Sequence, residues 1–343
     1  MKKGFFNAED LQGDYLKFAE EIRRGTPAAV FGVSSAVKYL LAAIIDSPVL
    51  YVTADAAGAR TAADNLSVLT GKKAAVIAAK DEVLSYRKAL SKDSLFRRIE
   101  GVYALENGGG LAVAEIDALL QLFPKTLPVL HFAEGAEADF SSVARRLSEM
   151  GYTRVAEVES KGAFALRGDI LDIFPVGAEN PVRVDFFGDE VEKIKPYDLE
   201  TGNRLEPKTS LTILPANDCF ICGDEIPAVK EILRESLRGF TERESYVRAS
   251  NVAAELLSAL EACEESAAEN GAARGKNGTG RPFAADPFLT PLLKNSGTIF
   301  DILPKNAVIV FDESKTLRDK CEGIYKEFEE RFSRLKQGGE VLP

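Results

Sequence analysis

Residues 181–187 read Pro-Val-Arg-Val-Asp-Phe-Phe, and this alternation constrains the fold more than any other stretch of the chain. Successive side chains of a β-strand point to opposite faces. Val182, Val184 and Phe186 therefore share one face, and Arg183, Asp185 and Phe187 share the other. Gly188-Asp189 follows, a dipeptide suited to a type II′ hairpin because glycine accepts φ > 0 at the first central position. The chain then returns through Val191 and Ile194. Upstream, Phe164 and Leu166 alternate with Ala163, Ala165 and Arg167, ahead of a Gly168-Asp169 turn. The pattern predicts a small sheet with one buried face and a second face carrying Arg167, Arg183 and Phe187. An aromatic ring with two arginines on an exposed face has the composition of a protein-binding hot spot. Asp172 falls in an apolar strand beside a turn, so a turn or backbone-bonding role is expected of it rather than acid–base work.

A chain of 343 residues predicts two or three domains. No apolar run reaches the length needed to cross a bilayer. The start, MKKGFFNAEDLQGDYL, has lysines but no apolar core of a signal peptide. Four cysteines without framework spacing fit a reducing cytosol. A net charge of −10 argues against a broad nucleic-acid-binding face, which requires clustered Lys and Arg.

Helical and strand patterns alternate through the first third. A helix is expected over 8–24, where Leu11, Tyr15, Phe18 and Ile22 recur at helical spacing. Strands are expected at 28–32, 49–53, 74–78 and 111–114, with helices at 35–45, 58–70 and 115–123 between and after them. That order implies βαβ units and a mainly parallel sheet. Gly32 to Tyr39, GVSSAVKY, sits where a phosphate-binding loop would sit. Against the pattern G-x-x-x-x-G-K-[ST], Gly32 and Lys38 match, but Val37 replaces the second glycine and Tyr39 the hydroxyl that binds Mg²⁺. A valine side chain obstructs close backbone approach to phosphate, so the loop reads as a degenerate nucleotide site. Near the far end, the apolar strand 307–311 runs into Asp312-Glu313, which resembles the Mg²⁺-binding carboxylate motif of helicases, here without a working partner loop.

Other chemistry-bearing residues read as structural. The single histidine, His131, has no Cys or carboxylate cluster beside it. Cys219 and Cys222 form a C-x-x-C, but zinc would need two more ligands, and Cys263 and Cys321 stand apart. No catalytic constellation assembles, and no metal site is expected. Helices are expected at 140–150, 226–240, 252–263 and 322–336. Residues 264–282 are small, polar and Gly-rich and read as a mobile loop.

Three blocks carry a family resemblance: RGDILDIFP (167–175), PVRVDFFGDE (181–190) and YDLETGNRL (197–205). In this order and spacing they resemble the UvrB-like module of bacterial excision-repair proteins, present in UvrB and in transcription-repair coupling factors. The degenerate loop places the resemblance nearer the coupling factors, since UvrB keeps an intact loop. The fold implied is α/β. It comprises a degenerate P-loop, RecA- or helicase-like parallel-sheet domain, discontinuous over 1–124 and 215–343, and an inserted small α+β domain over 125–214 that binds UvrA. The family's UvrA-contacting residues map by motif to Arg167, Arg183 and Phe187. In that family the full protein is an ATP-dependent DNA translocase that removes stalled RNA polymerase and recruits excision repair. ATP and Mg²⁺ belong to its downstream motor, and RNA polymerase and DNA are reached only through that C-terminal part. The resemblance thus implies a cytoplasmic UvrA-binding module that contacts downstream domains of its own chain, with no cofactor and no ATPase activity of its own. The ending GGEVLP closes no element, so the chain reads as an N-terminal fragment. The alternative is a UvrB-type ATP-dependent DNA damage-loading protein, against which stand Val37, Tyr39 and the acidic balance.

Overall fold

The computed structural model describes residues 13–80, 92–107, 110–269 and 282–342. The chain divides into two units. The first comprises Met1–Asp81, Glu100–Leu122 and Gly297–Glu330; the second comprises Glu82–Ile99, Phe123–Ser296 and Arg331–Pro343.

The first unit opens with α1 (Asp14–Arg23), α2 (Ser35–Ala43), β1 (Val49–Thr53), α3 (Ala56–Thr70) and β2 (Ala75–Ile77). Helix α4 (Lys92–Glu106) begins in the second unit and ends in the first, where β3 (Leu111–Glu115) and α5 (Ile116–Leu119) follow. The second unit then contributes β4 (Phe123–Pro124), β5 (Leu130–Ala133), α6 (Phe140–Glu149) and β6 (Thr153–Arg154). Its central run is β7 (Ala163–Arg167), β8 (Ile170–Ile173), β9 (Val182–Phe187) and β10 (Glu190–Pro196). It continues with β11 (Ser210–Ile213), β12 (Phe220–Cys222), α7 (Ile226–Ser236), α8 (Arg243–Glu269) and β13 (Pro282–Ala284). Strand β14 (Ser296–Gly297) marks the boundary, α9 (Ile299–Ile302) and β15 (Val308–Phe311) return to the first unit, and α10 (Ser314–Gln337) ends in the second.

The first unit is built on a parallel sheet of order β15-β1-β3-β2. All five residues of β1 are buried, as parallel strands covered on both faces require. Helix α3 is delimited by its sequence. Asp55 caps its start by accepting from the Gly58 amide at 2.7 Å, and Gly71 ends it in the left-handed conformation. Tyr39, Tyr51, Ala62, Leu66 and Val113 share one apolar cluster with these elements. Gly101 sits inside α4, where a Cβ would lie 2.6 Å from the Ile77 side chain, so only glycine permits this packing. The strand expected at 28–32 does not form. Its apolar residues are exposed, Phe31 at 87%. The segment joins none of the sheets formed by the described residues.

The second unit centres on a five-stranded sheet of order β10-β9-β8-β7-β6, antiparallel except for the β6–β7 pair. Both hairpin turns are two residues long, joining Arg167 to Ile170 and Phe187 to Glu190. Gly168 and Gly188 take φ of +58° and +60° while Asp169 and Asp189 do not have positive φ, the type II′ signature. Phe186 is buried, with Phe132 of β5 edge-on at 5.6 Å and Phe140 of α6 at 4.7 Å. Val191 and Ile194 are both fully buried although three residues apart, because a bulge between Val191 and Lys193 restores the inward face. Elsewhere in this unit Arg98 and Asp218 form a fully buried ion pair at 2.9 Å, with the Arg98 guanidinium 3.5 Å from the Phe123 ring centroid. A further core gathers Ile221, Val229, Leu256 and Phe283 from β12, α7, α8 and β13.

Some helix boundaries differ from the sequence expectation. Helix α8 is one element over Arg243–Glu269, so residues 264–269 of the expected mobile loop are helical, and the rest of that loop up to 281 lies outside the described residues. Residues 1–12, including Leu11 of the expected first helix, also lie outside them. Among the described residues, no helix is long and apolar enough to cross a membrane.

The opposite burial of two adjacent phenylalanines gives a direct test. Phe186→Ala is expected to lower stability by about 3–5 kcal/mol as a core truncation. Phe187→Ala, at a side chain 79% exposed, is expected to leave the melting temperature within a degree or two. Thermal melts of both variants check the assignment; unfolding by Phe187→Ala would refute it.

Candidate functional site

The strand register of the second unit lays its outward residues out in rows. One row runs Arg167, Ile170, Asp185, Lys193 across β7 to β10, and the next runs Ala165, Asp172, Arg183, Lys195. Phe187 stands two residues beyond Asp185 on β9. Arg167, Arg183 and Phe187 therefore occupy one face, with Phe187 projecting furthest into solvent.

Neither arginine is a free cation. Arg183 donates from Nε and Nη2 to the two carboxylate oxygens of Asp172 at 2.7 and 2.8 Å. This bidentate bond, acting against partial burial, raises the Arg183 pKa above its ordinary value. The Tyr197 ring lies 5.9 Å from the guanidinium, and burial raises the phenol's pKa. Arg167 donates from Nη2 to the Ala156 carbonyl at 2.7 Å, with the Glu157 carboxylate 3.5 Å away. The same segment packs Val155 and Val158 against Ala165, so it covers this corner of the outer face. Lys195 bonds Asp185, which leaves Asp172 to Arg183 alone among the face's cations.

Asp172 thus corrects a sequence expectation. It bonds neither a turn nor the backbone; the register places it directly opposite Arg183, and its side chain is only 9% exposed. The signal was legible in principle, since an acid and a base at facing positions of adjacent strands form a cross-strand pair. What sequence lacked was the β8–β9 register.

In the first unit the structure brings the degenerate loop and the Asp312-Glu313 pair together. Lys38 Nζ donates to both oxygens of Asp312, at 3.0 and 2.7 Å. Burial opposes the Lys38 charge, and the Asp312 carboxylate outweighs it, so the ammonium pKa is raised. The Tyr51 hydroxyl also meets Asp312, and burial foremost, then that carboxylate, raises its pKa. Val37 lies within α2 and not in a glycine turn, while Tyr39 is packed in the core 5.7 Å from Tyr51. Gly32 holds φ +70° in open space, and Glu313 takes φ +56° just before α10. Lys38 and Asp312, for which the sequence pattern suggested a phosphate and a Mg²⁺ ion as partners, satisfy one another.

The remaining singled-out residues are tied down locally. His131 lies exposed on β5 with Nδ1 3.1 Å from the Thr212 hydroxyl. The Cys219 thiol donates to the Asp286 carbonyl. Cys222, Asp224 and Glu225 cluster within 4.8 Å, but both Glu225 oxygens accept backbone amides, from Cys222 and Lys294. Burial, with the two carboxylates adding to it, pushes the Cys222 thiol up to about 11, away from the thiolate that binds metal.

The sheet whose outer face carries Arg167, Arg183 and Phe187 lies in the part of the chain that comparison with known proteins matches. Residues 130–219 match the family model of the UvrB interaction domain. The chain is similar to the transcription-repair-coupling factor of Bacillus subtilis, at 24% identity over 304 residues, covering 87% of this chain and 25% of that protein. It is similar to UvrABC system protein B of Acinetobacter baylyi, at 29% identity over 251 residues, covering 70% of this chain and 35% of that protein. The transcription-repair-coupling factor of Myxococcus xanthus is 28% identical over 239 residues. The chain carries a UvrB-like module and spans between a quarter and about a third of the length of the first two relatives.

Two substitutions probe these pairs. Arg183→Ala is expected to cost about 1–2 kcal/mol of stability, because it strands the Asp172 carboxylate at a site only partly screened by water. This differs from the neutral effect that simple strand alternation implies, and a chemical-denaturation midpoint equal to wild type would contradict it. For Lys38 the folded pKa lies above the unfolded value near 10.5. Its stabilising contribution is therefore complete below pH 10 and is lost as pH rises through the raised value. The melting-temperature gap between wild type and Lys38→Met is expected to be constant from pH 7 to 9 and to narrow above about pH 10.5; a gap that widens there would refute the pairing.

Proposed function

We propose that this chain is the UvrA-recruiting module of a transcription-repair coupling factor, linking stalled RNA polymerase to nucleotide excision repair. The observation that carries the proposal is Phe187, 79% exposed on the sheet face that also holds Arg167 and Arg183, within the residues that match the UvrB interaction domain. A lone exposed phenylalanine is unremarkable. Beside two arginines already fixed in orientation, it forms an anchor flanked by charge-assisted donors.

The first unit, in this proposal, is a degenerate P-loop domain of the RecA or helicase type that serves as scaffold and not as motor. The parallel β15-β1-β3-β2 sheet and the Lys38–Asp312 bond support it. Phosphate and Mg²⁺ would have to break that bond and displace Val37 from the helix. ATP and Mg²⁺, RNA polymerase and DNA engage the longer protein elsewhere, and the module acts in the cytoplasm.

Affinity for purified UvrA is the decisive measurement. Phe187→Ala is expected to weaken binding by about 2 kcal/mol, roughly 30-fold, without loss of folding. Unchanged affinity would remove the physical basis of recruitment. Independently, millimolar Mg·ATP is expected to leave the melting temperature unchanged, whereas a ligand at 100 times its dissociation constant adds about 2.7 kcal/mol. A saturable upward shift would favour a UvrB-type ATP-dependent damage loader instead.

A further inference from the structure

We infer that Asp172 is a positioning residue of the docking face: it fixes the Arg183 guanidinium side-on, so that the Nη1 edge is presented to an acceptor on the partner. The inference rests on the proposal that this face binds UvrA.

The geometry leads there in three steps. Asp172 engages Nε and Nη2 with both of its oxygens, which locks the plane of the guanidinium as well as its position. The remaining nitrogen, Nη1, takes no partner among the described residues, and the Arg183 side chain is 42% exposed. Among the described residues no other acid bonds the arginine: Asp185, two residues along β9, is bonded to Lys195.

A carboxylate at this position does something an apolar residue could not. Asp172 sits in a strand whose other residues are apolar, between Leu171 and Ile173, both fully buried. Pairing a nearly buried carboxylate with an arginine seldom stabilises a fold more than a well-packed hydrophobic side chain would. It does remove the rotamer freedom of a long side chain before the partner arrives, which is how preorganisation raises affinity. Asp172 also neutralises the arginine, so recognition relies on the direction of its N–H groups more than on net charge. The partner surface this fits has an apolar pocket for Phe187 beside a carboxylate or carbonyl oxygen lying in the guanidinium plane.

The test is a double-mutant cycle in UvrA affinity and dissociation rate, using the full 343-residue chain. The variants are Asp172→Asn, Arg183→Ala and the two together, with Phe187→Ala as reference. Asp172→Asn keeps the side-chain volume, and Asp172→Ala serves as a second variant should the amide find a new bond; melts verify that each is folded. Asp172→Asn is expected to weaken UvrA binding about 10-fold, mainly through faster dissociation, and to have under about a twofold effect once Arg183 is alanine. A merely structural Asp172 would show the same penalty in both backgrounds. The inference is overturned by that result, or by wild-type affinity in both Asp172 variants while Phe187→Ala and Arg183→Ala weaken binding. Wild-type affinity in all variants, Phe187→Ala included, would overturn the recruitment proposal along with it.

Discussion

The pairing register of β8, β9 and β10 is the constraint on which the candidate site depends. Val182, Val184 and Phe186 face inward, and Phe186 is held between Phe132 and Phe140. A slip of one residue would bury Phe187, expose Phe186 and separate Asp172 from Arg183, because strand side chains alternate with period two. The two II′ turns fix the register within β7–β8 and within β9–β10, and the inward Val182, Val184 and Phe186 hold β9 against β8. The hydrophobic core thus decides which polar groups meet on the other side of the sheet.

The two units use charge in contrasting ways. In the second, the outer-face cations are each matched by a local acceptor and remain within reach of solvent, which yields a surface of oriented donors with little net field. In the first, Lys38 of α2 and Asp312, just after β15, close on one another. Both are ion pairs between separate elements of one unit, and the difference lies in what is left over. Among the described residues Arg183 Nη1 meets no acceptor, whereas both oxygens of Asp312 are engaged. A five-donor guanidinium can serve a structural acid and a partner simultaneously, and this is one reason Arg and Lys are not interchangeable at such sites.

The buried Arg98–Asp218 pair shows the limit of reading charge from sequence. Arg98 belongs to α4, a helix absent from the sequence expectation although its buried residues Phe96, Ile99, Val102 and Leu105 recur at a helical spacing that is legible in the sequence. That its arginine would be fully buried under Phe123 is not, since the stabilising carboxylate lies 120 residues away. Burial lowers the Arg98 pKa and Asp218 opposes that shift, a balance that exists only once the distant segments are folded together.

By itself the sequence determined what depends on neighbours along the chain. Strand alternation assigned Phe186 inward and Phe187 outward; Gly-Asp dipeptides marked the hairpins; alternating apolar strands and helices announced a parallel sheet. Tertiary structure decided what depends on registry and pairing between strands. The apolar segment at 28–32 reads as a strand and joins none of the sheets among the described residues, since a strand needs a partner that local pattern does not supply. Val191 and Ile194 both turn inward only because of a bulge that period-two patterning cannot express. Asp172 reads as a turn residue and is instead the acceptor of Arg183, since a carboxylate's role follows from the cation that the ladder sets opposite it, and one-dimensional spacing does not contain that distance.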